Sequence, residues 1–260
     1  MRADVYLTAA GYTESRKKAQ DLIAAGAVVM DGIVVKKASS PVNEAVAHEV
    51  VIQPIFKYVS RGGMKLEAAL DAFGISVNRK KAVDVGASTG GFTDCLLQRG
   101  ASEVIAVDSG IGQLHESLRS NSRVRSLEHF NARELTLEAT GGPCDVAVAD
   151  VSFISQTYII PPVVEVLAPG GVFVSLIKPQ FEAGRGALGK NGVVTNGAYR
   201  FLAAKRVISC AEEHGLDCVG LIRSPIEGGD GNKEYLAVFY KRACVKASVD
   251  DKQIKRITAQ

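Results

Sequence analysis

The 260-residue sequence lacks a strong net charge, a long apolar run, paired cysteines and internal repeats, and each absence excludes something. Net charge is only +3, so a nucleic-acid site must come from local clusters of Lys and Arg rather than from the field of the whole molecule. No run of about 18 apolar residues occurs, and the start "MRADVYLTAAGYTESRKKAQ" carries no secretory core. A soluble cytoplasmic protein without a membrane partner is expected. The five cysteines (Cys95, Cys144, Cys210, Cys218 and Cys244) show no CxxC spacing, and the four histidines do not sit near them in any zinc-like pattern. No metal is expected, and the thiols read as reduced. With 47% apolar residues the chain can bury a full core, as one large or two unequal domains.

The first sixty or so residues have their own pattern. "TESRKKAQDLIAAG" predicts a helix capped by Thr13 or Ser15, with Ala19, Leu22 and Ile23 at helical spacing and Gly26 as its stop. "VVMDGIVV" places Asp31-Gly32 between two β-branched runs, which predicts a hairpin, and "AVAHEVVIQ" can pair with it. Arg16, Lys17 and Lys18 sit at the positive end of the helix dipole, where they are disfavoured unless an anion is near. A phosphate backbone would supply one; a solvated face is the plainer alternative. "QPIFKYVSRGG" suits a connection with some shape of its own. The expected division is a small α+β domain over residues 1–57, a linker over 58–63, the main domain over 64–245 and a polar tail over 246–260.

Beyond the linker, β-branched runs alternate with helix-length segments: "KAVDV", "SEVIAVD", "RVRSLE", "DVAVAD", "GVFVSLIK", "LDCVGLIR" and "EYLAVFYK". That alternation predicts βαβ units and a mostly parallel sheet. The last two runs are joined by a polar Gly-rich loop too poor in helix formers for a crossover, so the seventh strand is expected to be antiparallel. After the first strand, "AVDVGASTGGFTD" offers Gly86, Gly90 and Gly91 for close backbone approach and the free amides of a helix beginning near Phe92. Asp108 ends the second strand, where a carboxylate can accept hydrogen bonds from ribose hydroxyls. Asp84 would repel a pyrophosphate but suits a cationic sulfonium or amino group, which favours S-adenosylmethionine over a dinucleotide. The plainer alternative is a tight turn without ligand. The expected fold is α/β, a class I (Rossmann-like) methyltransferase with a seven-stranded sheet.

The fourth strand ends in "DVAVADVSFIS", which puts Asp150 at the carboxyl edge of the sheet. The Pro-Pro-aromatic sequence typical of base-amino methyltransferases is absent after it. Cys144 precedes that strand and so lies at the opposite edge, which removes it as the nucleophile that cytosine-carbon methylation needs. Lys178 ends the fifth strand, Glu234 begins the reversed seventh, and Lys65 lies near the start of the helix entering the main domain. Two lysines and two acids are thus expected at one edge. Repulsion between the ammonium groups would bring a lysine down from its ordinary pKa of about 10.4 toward use as a proton acceptor. Singly, each has a plainer role: a snorkelling lysine, a decorated helix, a guarded strand edge.

"RADVYLTAAGYTESRKKAQDLIAAGAVVMDGIVV" resembles the S4-type RNA-binding domain, and "YVSRGGMKL", "DVGASTGGFTD", "VDSGIGQL", "NAREL", "ADVSFIS", "LIKPQFEAG" and "GNKEYL" resemble the TlyA proteins, known both as haemolysins and as ribosomal RNA ribose methyltransferases. Their catalytic half is similar to FtsJ, whose catalytic tetrad falls on Lys65, Asp150, Lys178 and Glu234. The resemblance implies S-adenosylmethionine as cofactor, held by Asp84, Gly86, Ala87, Ser88, Thr89, Gly90, Gly91, Phe92, Asp108, Ser109, Asn131 and Asp150. It implies a 2′-O-methylcytidine product in ribosomal RNA within ribosomal subunits, in the large subunit alone or in both, the abrupt start "MRADVYL" and the polar tail "ASVDDKQIKRITAQ" favouring the large one. In that scheme Lys178 activates or orients the hydroxyl, Asp150 lies near the cationic methyl donor and positions Lys178, and Lys65 and Glu234 tune and hold the set. Arg2, Arg16, Lys17, Lys18, Arg61 and Arg133 are candidate phosphate contacts. Arg185 and Lys190 lie in a loop over 179–195 able to close over RNA, and Phe153 is either a stacking platform for the target base or a core residue. A monomer is expected. Two rivals are a membrane-lytic protein, for which the amphipathic stretches are short, and a non-catalytic RNA-binding protein with the same fold.

Overall fold

The computed structural model describes residues 1–24, 26–52, 57–228, 231–241 and 249–259. It divides into two compact units, Met1–Lys57 and Tyr58–Gln260.

In the first unit α1 (Ala3–Ala9) and α2 (Arg16–Ala24) precede β1 (Val28–Met30), β2 (Ile33–Val34) and β3 (Val50–Ile52), which form an antiparallel sheet in the order β2-β1-β3. Asp31 and Gly32 take φ of 52° and 77°, the paired positive values of the tight hairpin turn whose twist matches its strands. Ser15 caps α2 by accepting from the Lys18 amide at 3.2 Å. Leu7, Leu22, Ile23 and Val28 share one buried cluster. Helix α1 was not expected; its apolar side consists of little more than Ala3 and Leu7, one turn apart, too short a stripe to declare a helix by periodicity.

The second unit runs α3 (Gly62–Ala72), β4 (Lys81–Val85), α4 (Gly91–Gln98), β5 (Glu103–Val107), α5 (Glu116–Arg119), β6 (Val124–Leu127), α6 (Leu137–Thr140), β7 (Cys144–Ala149), α7 (Ile160–Val166), β8 (Leu167–Ile177), α8 (Pro179–Glu182), α9 (Gly197–Glu213), β9 (Leu216–Arg223), β10 (Tyr235–Lys241) and α10 (Asp251–Ala259). Its sheet has the order β6-β5-β4-β7-β8-β10-β9, and β10 is antiparallel to both neighbours. All seven β-branched runs are strands. Successive residues serve opposite faces: in β10, Tyr235, Ala237 and Phe239 enter a core shared with α7 and α9, while Leu236 and Val238 enter one shared with α3 and α4. Phe173 and Phe239 stack with centroids 5.7 Å apart, each burial contributing roughly 1.5–3 kcal/mol.

Two segments differ from expectation. Residues 58–63 are not a free linker: Tyr58 is buried and donates to Glu67 Oε1 at 2.9 Å, the Val59 amide donates to Asp94 at 2.8 Å, and α3 already begins at Gly62. The C-terminal stretch holds α10, which buries Ile254 and Thr258 and pairs Asp251 with Lys205 at 2.7 Å. Its narrow apolar stripe is diluted by charge, so composition alone reads as a polar tail. Residues 242–248 lie outside the described residues. Among those described, no helix is long and apolar enough to cross a membrane, and no cluster of His, Cys, Asp or Glu is suited to a metal ion. Cys144 is buried at the start of β7, and burial pushes its thiol up to about 11.

Candidate active site

Strands β4, β5, β7 and β8 are parallel and finish at one edge, followed there by Gly86, Asp108, Asp150 and Lys178. Because β10 runs the other way and its Tyr235 pairs with Ile177, Glu234 arrives beside Lys178 at that same edge. Close backbone approach makes the arrangement possible. Gly86 has φ 83°, and a Cβ on it would lie 2.6 Å from the Asp150 carbonyl oxygen. A Cβ on Gly91 would strike the Ser60 hydroxyl and come within 2.9 Å of the Gly63 amide, so only glycine lets α3 and α4 start against one another.

Lys65, Asp150, Lys178 and Glu234 line one cavity of about 340 Å³ with Ser152 and residues of the glycine turn. They form two ion pairs. Lys65 Nζ donates to Glu234 Oε2 at 2.5 Å, with side chains 11% and 3% exposed. Lys178 Nζ lies 2.7 Å from Asp150 Oδ1, the lysine as enclosed as Lys65 and the acid more open than Glu234, and donates to Ser152 Oγ at 2.8 Å. The charges cancel pairwise, which is what lets four ionised groups share a partly dry site.

A neighbouring cavity of about 690 Å³ is lined by Asp108, Ser109, Asn131, Phe130 and Ile154 and shares Gly86, Ser88, Asp150 and Ser152 with the first. Asp108 accepts from the Ser88 and Gly110 amides at 2.7 Å each, which fixes its carboxylate and leaves lone pairs for two hydroxyl donors. Ala87, Ser88, Thr89, Gly91 and Phe92 border the first cavity. Gly90 lines neither; its φ of 95° and its contact with Leu114 and Leu118 shape the turn.

Asp84 is a correction to the expected direct contact. It is fully buried beneath the glycine turn and lines neither cavity. Burial pushes its carboxyl up to about 7, the Thr93 hydroxyl donating at 2.6 Å opposes this, and the charges of Asp150 and Asp108 add to the rise. Its Oδ1 has no partner. A carboxyl that titrates higher folded than unfolded stabilises the fold fully below pH 3.8, and that stability is lost as pH rises through about 7. Urea denaturation should therefore show wild type losing about 3 kcal/mol more than Asp84→Asn between pH 5 and pH 8. Parallel pH profiles for the two proteins would exclude Asp84 as the group responsible.

The candidate RNA residues separate. Arg61 lines the first cavity, and Arg133 is exposed on the turn after Asn131, whose side-chain oxygen accepts from its amide and Nε at 3.2 Å. Phe153 is no core residue: it is 92% exposed, holds φ 62°, and its ring lies 5.1 Å from that of Phe181. The side chains of Arg185 and Lys190 lie outside the described residues. In the first unit, the anion expected near the start of α2 is partly internal. Buried Asp4 accepts from Arg2 at 2.9 and 3.2 Å, Arg16 at 3.2 Å and Gln20 at 2.8 Å, and Arg2, foremost among these donors, holds its carboxyl far below the usual range. Lys17 pairs with Asp21 at 2.9 Å, and Lys18 is exposed. Sequence reasoning missed the anchoring role of Asp4 and the bond between Ser152 and Lys178. A lone serine carries no spacing signal.

Residues 58–241 match the FtsJ-like methyltransferase family model, and residues 1–46 match that of the S4 domain. The chain is 46% identical to Hemolysin A of Brachyspira hyodysenteriae over 92% of this chain and 99% of that one. It is 45% identical to the 16S/23S rRNA (cytidine-2'-O)-methyltransferase TlyA of Mycobacterium tuberculosis, covering 90% of this chain and 87% of that one. A solved structure described as a candidate hemolysin from Streptococcus thermophilus superposes with a TM-score of 0.77 at 40% identity, covering 100% of this chain and 94% of that one. With these relatives spanning nearly its whole length, the chain belongs to the TlyA group of FtsJ-like methyltransferases, in which an S4 domain precedes the methyltransferase domain.

Proposed function

We propose that the protein transfers a methyl group from S-adenosylmethionine to the 2′-oxygen of a cytidine ribose in ribosomal RNA, in the cytoplasm. The observation that carries this is Lys178, an amine at a strand tip paired to Asp150 at 2.7 Å, in a cavity that opens onto a nucleoside-sized one. The residues fit the cofactor. Asp108 keeps free lone pairs for ribose hydroxyls, the glycine turn borders both cavities, and the residues the two cavities share include the acid Asp150 and no cation. S-adenosylmethionine, when bound, supplies a methyl carbon on a sulfonium.

The remaining work falls to the chain. Asp150 places negative charge where the two cavities meet. Lys178, once it has released its own proton to solvent, takes the hydroxyl proton as the oxygen attacks, which restores the ammonium that faces the Asp150 carboxylate in the resting site. Lys65 and Glu234 neutralise one another and form the opposite wall. Phe153, exposed beside Phe181, suits stacking on an unstacked base. Purified protein mixed with small or large ribosomal subunits and tritiated S-adenosylmethionine should label RNA, and nuclease digestion should return the label as 2′-O-methylcytidine. The same assay decides which subunit is the substrate. Label on a base, or none on either subunit while erythrocytes leak at comparable dose, would replace this function with base methylation or lysis.

Arg2 and Arg16, oriented by Asp4, suit phosphate contacts of the S4 domain. Arg16→Ala leaves Asp4 with Arg2 and Gln20. It should weaken binding of a ribosomal RNA fragment by the full chain and reduce the slope of log affinity against log salt by about one. An unchanged slope would mean that Arg16 serves only Asp4.

A further inference from the structure

The two contacts of Lys178 differ in kind. Asp150 Oδ1 lies 2.7 Å from Nζ as an ion pair, yet that oxygen receives no well-directed hydrogen bond. The directed bond goes to Ser152 Oγ at 2.8 Å. A Coulomb contact fixes distance but hardly orientation, whereas a hydrogen bond fixes the direction of one N–H.

Ser152 is held in place from the Lys178 side. The chain turns through the left-handed φ of Phe153, 62°, and then anchors on buried Glu182, which accepts from Ser155 Oγ at 2.5 Å and from the Gln156 amide at 2.7 Å. Glu182 belongs to α8, the turn that begins immediately after Lys178. The loop bearing Ser152 and the segment bearing Lys178 are therefore tied by a carboxylate that neither reacts nor faces solvent. Ser152 also lines three cavities: the one holding the four charges, the nucleoside-sized one, and a third of about 360 Å³ that includes Phe153 and Phe181. It stands where methyl donor and acceptor nucleotide must meet.

We propose that Ser152 is the positioning residue that aims the Lys178 amine at the ribose hydroxyl, a role that rests on the ribose methylation proposed above. A neutral amine has two N–H groups and one lone pair in tetrahedral arrangement. With one N–H committed to Ser152 Oγ and the other drawn by the Asp150 charge, the lone pair is left the remaining position, which we assign to the cavity that Lys178 lines. Without Ser152 the amine keeps its distance from Asp150 but spins about its last carbon–nitrogen bond, and its lone pair is correctly aimed only part of the time.

Single-turnover transfer at saturating RNA and cofactor tests this with wild type, Ser152→Ala, Ser152→Thr and Lys178→Ala. Ser152→Ala should be slower by about tenfold or more, the effect of losing one orienting bond, with the KM for RNA and the Kd for S-adenosylmethionine within about twofold. Ser152→Thr keeps the hydroxyl at an exposed position and should stay within about threefold of wild type. All should melt at the wild-type temperature. A wild-type rate in Ser152→Ala, a loss confined to KM, or threonine as slow as alanine would overturn the role. If wild type itself yields no 2′-O-methylcytidine, the fault lies with the reaction and not with Ser152.

Discussion

Lys178→Ala is expected to lower single-turnover methyl transfer by about a thousandfold or more, while the affinity for S-adenosylmethionine stays within about twofold. Lys178 is not among the residues that line the donor's cavity and reaches it only through Asp150 and Ser152, while the glycine turn, Asp108 and Asn131 belong to the rest of that lining. What the variant removes is the one amine that faces both Asp150 and Ser152. Lys178→Arg should be almost as slow. A guanidinium keeps the positive charge and satisfies Asp150 but does not give up its proton at any working pH, so it cannot serve as the acceptor. Quench-flow transfer and calorimetric titration of the cofactor separate the two quantities. Near-normal turnover in either variant would mean that Lys178 only neutralises Asp150 and that solvent takes the proton.

Lys65→Ala is expected to cost about 3–5 kcal/mol of folding stability as well as activity. Its partner Glu234 is 3% exposed, so truncating the lysine strands a carboxylate in the interior, whereas Lys178→Ala leaves Asp150 with 23% exposure and access to water. The cost belongs to the stranded charge rather than to the pair. Lys65→Met combined with Glu234→Leu should accordingly regain most of the stability lost in Lys65→Ala and none of the activity. Urea denaturation of Lys65→Met, Glu234→Leu and the double variant resolves this, and additive losses in the double variant would show that the pair was not the source.

How far the sequence discloses this molecule depends on how each feature is encoded. The seven strands of the second unit are legible because parallel strands covered on both faces are written as runs of β-branched residues, such as "KAVDV" and "GVFVSLIK". The Asp31-Gly32 hairpin is legible because few residue pairs accept two positive φ angles. The edge positions of Asp150, Lys178 and Glu234 follow once strand directions are known. Their pairing does not follow: that Lys65 meets Glu234 while Lys178 meets Asp150 depends on where α3 lies across the sheet, which no local pattern carries. Helices α1 and α10 stayed hidden because each owes its place to two or three apolar side chains in a polar segment. Asp4 reads as an ordinary surface acid near a cationic helix until the fold brings Arg2, Arg16 and Gln20 onto it. The depth of Asp84 is likewise a property of the packing of the glycine turn.

The reversed course of β10 bears on when the molecule first becomes competent. A chain emerging during synthesis only as far as β9 already has the strands that frame the nucleoside cavity, together with Lys178 and Asp150. The carboxylate that neutralises Lys65 comes immediately before the last strand to be made, and without it an ammonium that is 11% exposed has nothing to face. Nascent fragments that stop short of Glu234 are therefore expected to be inert, with methyl transfer gained only when the last strand closes the sheet.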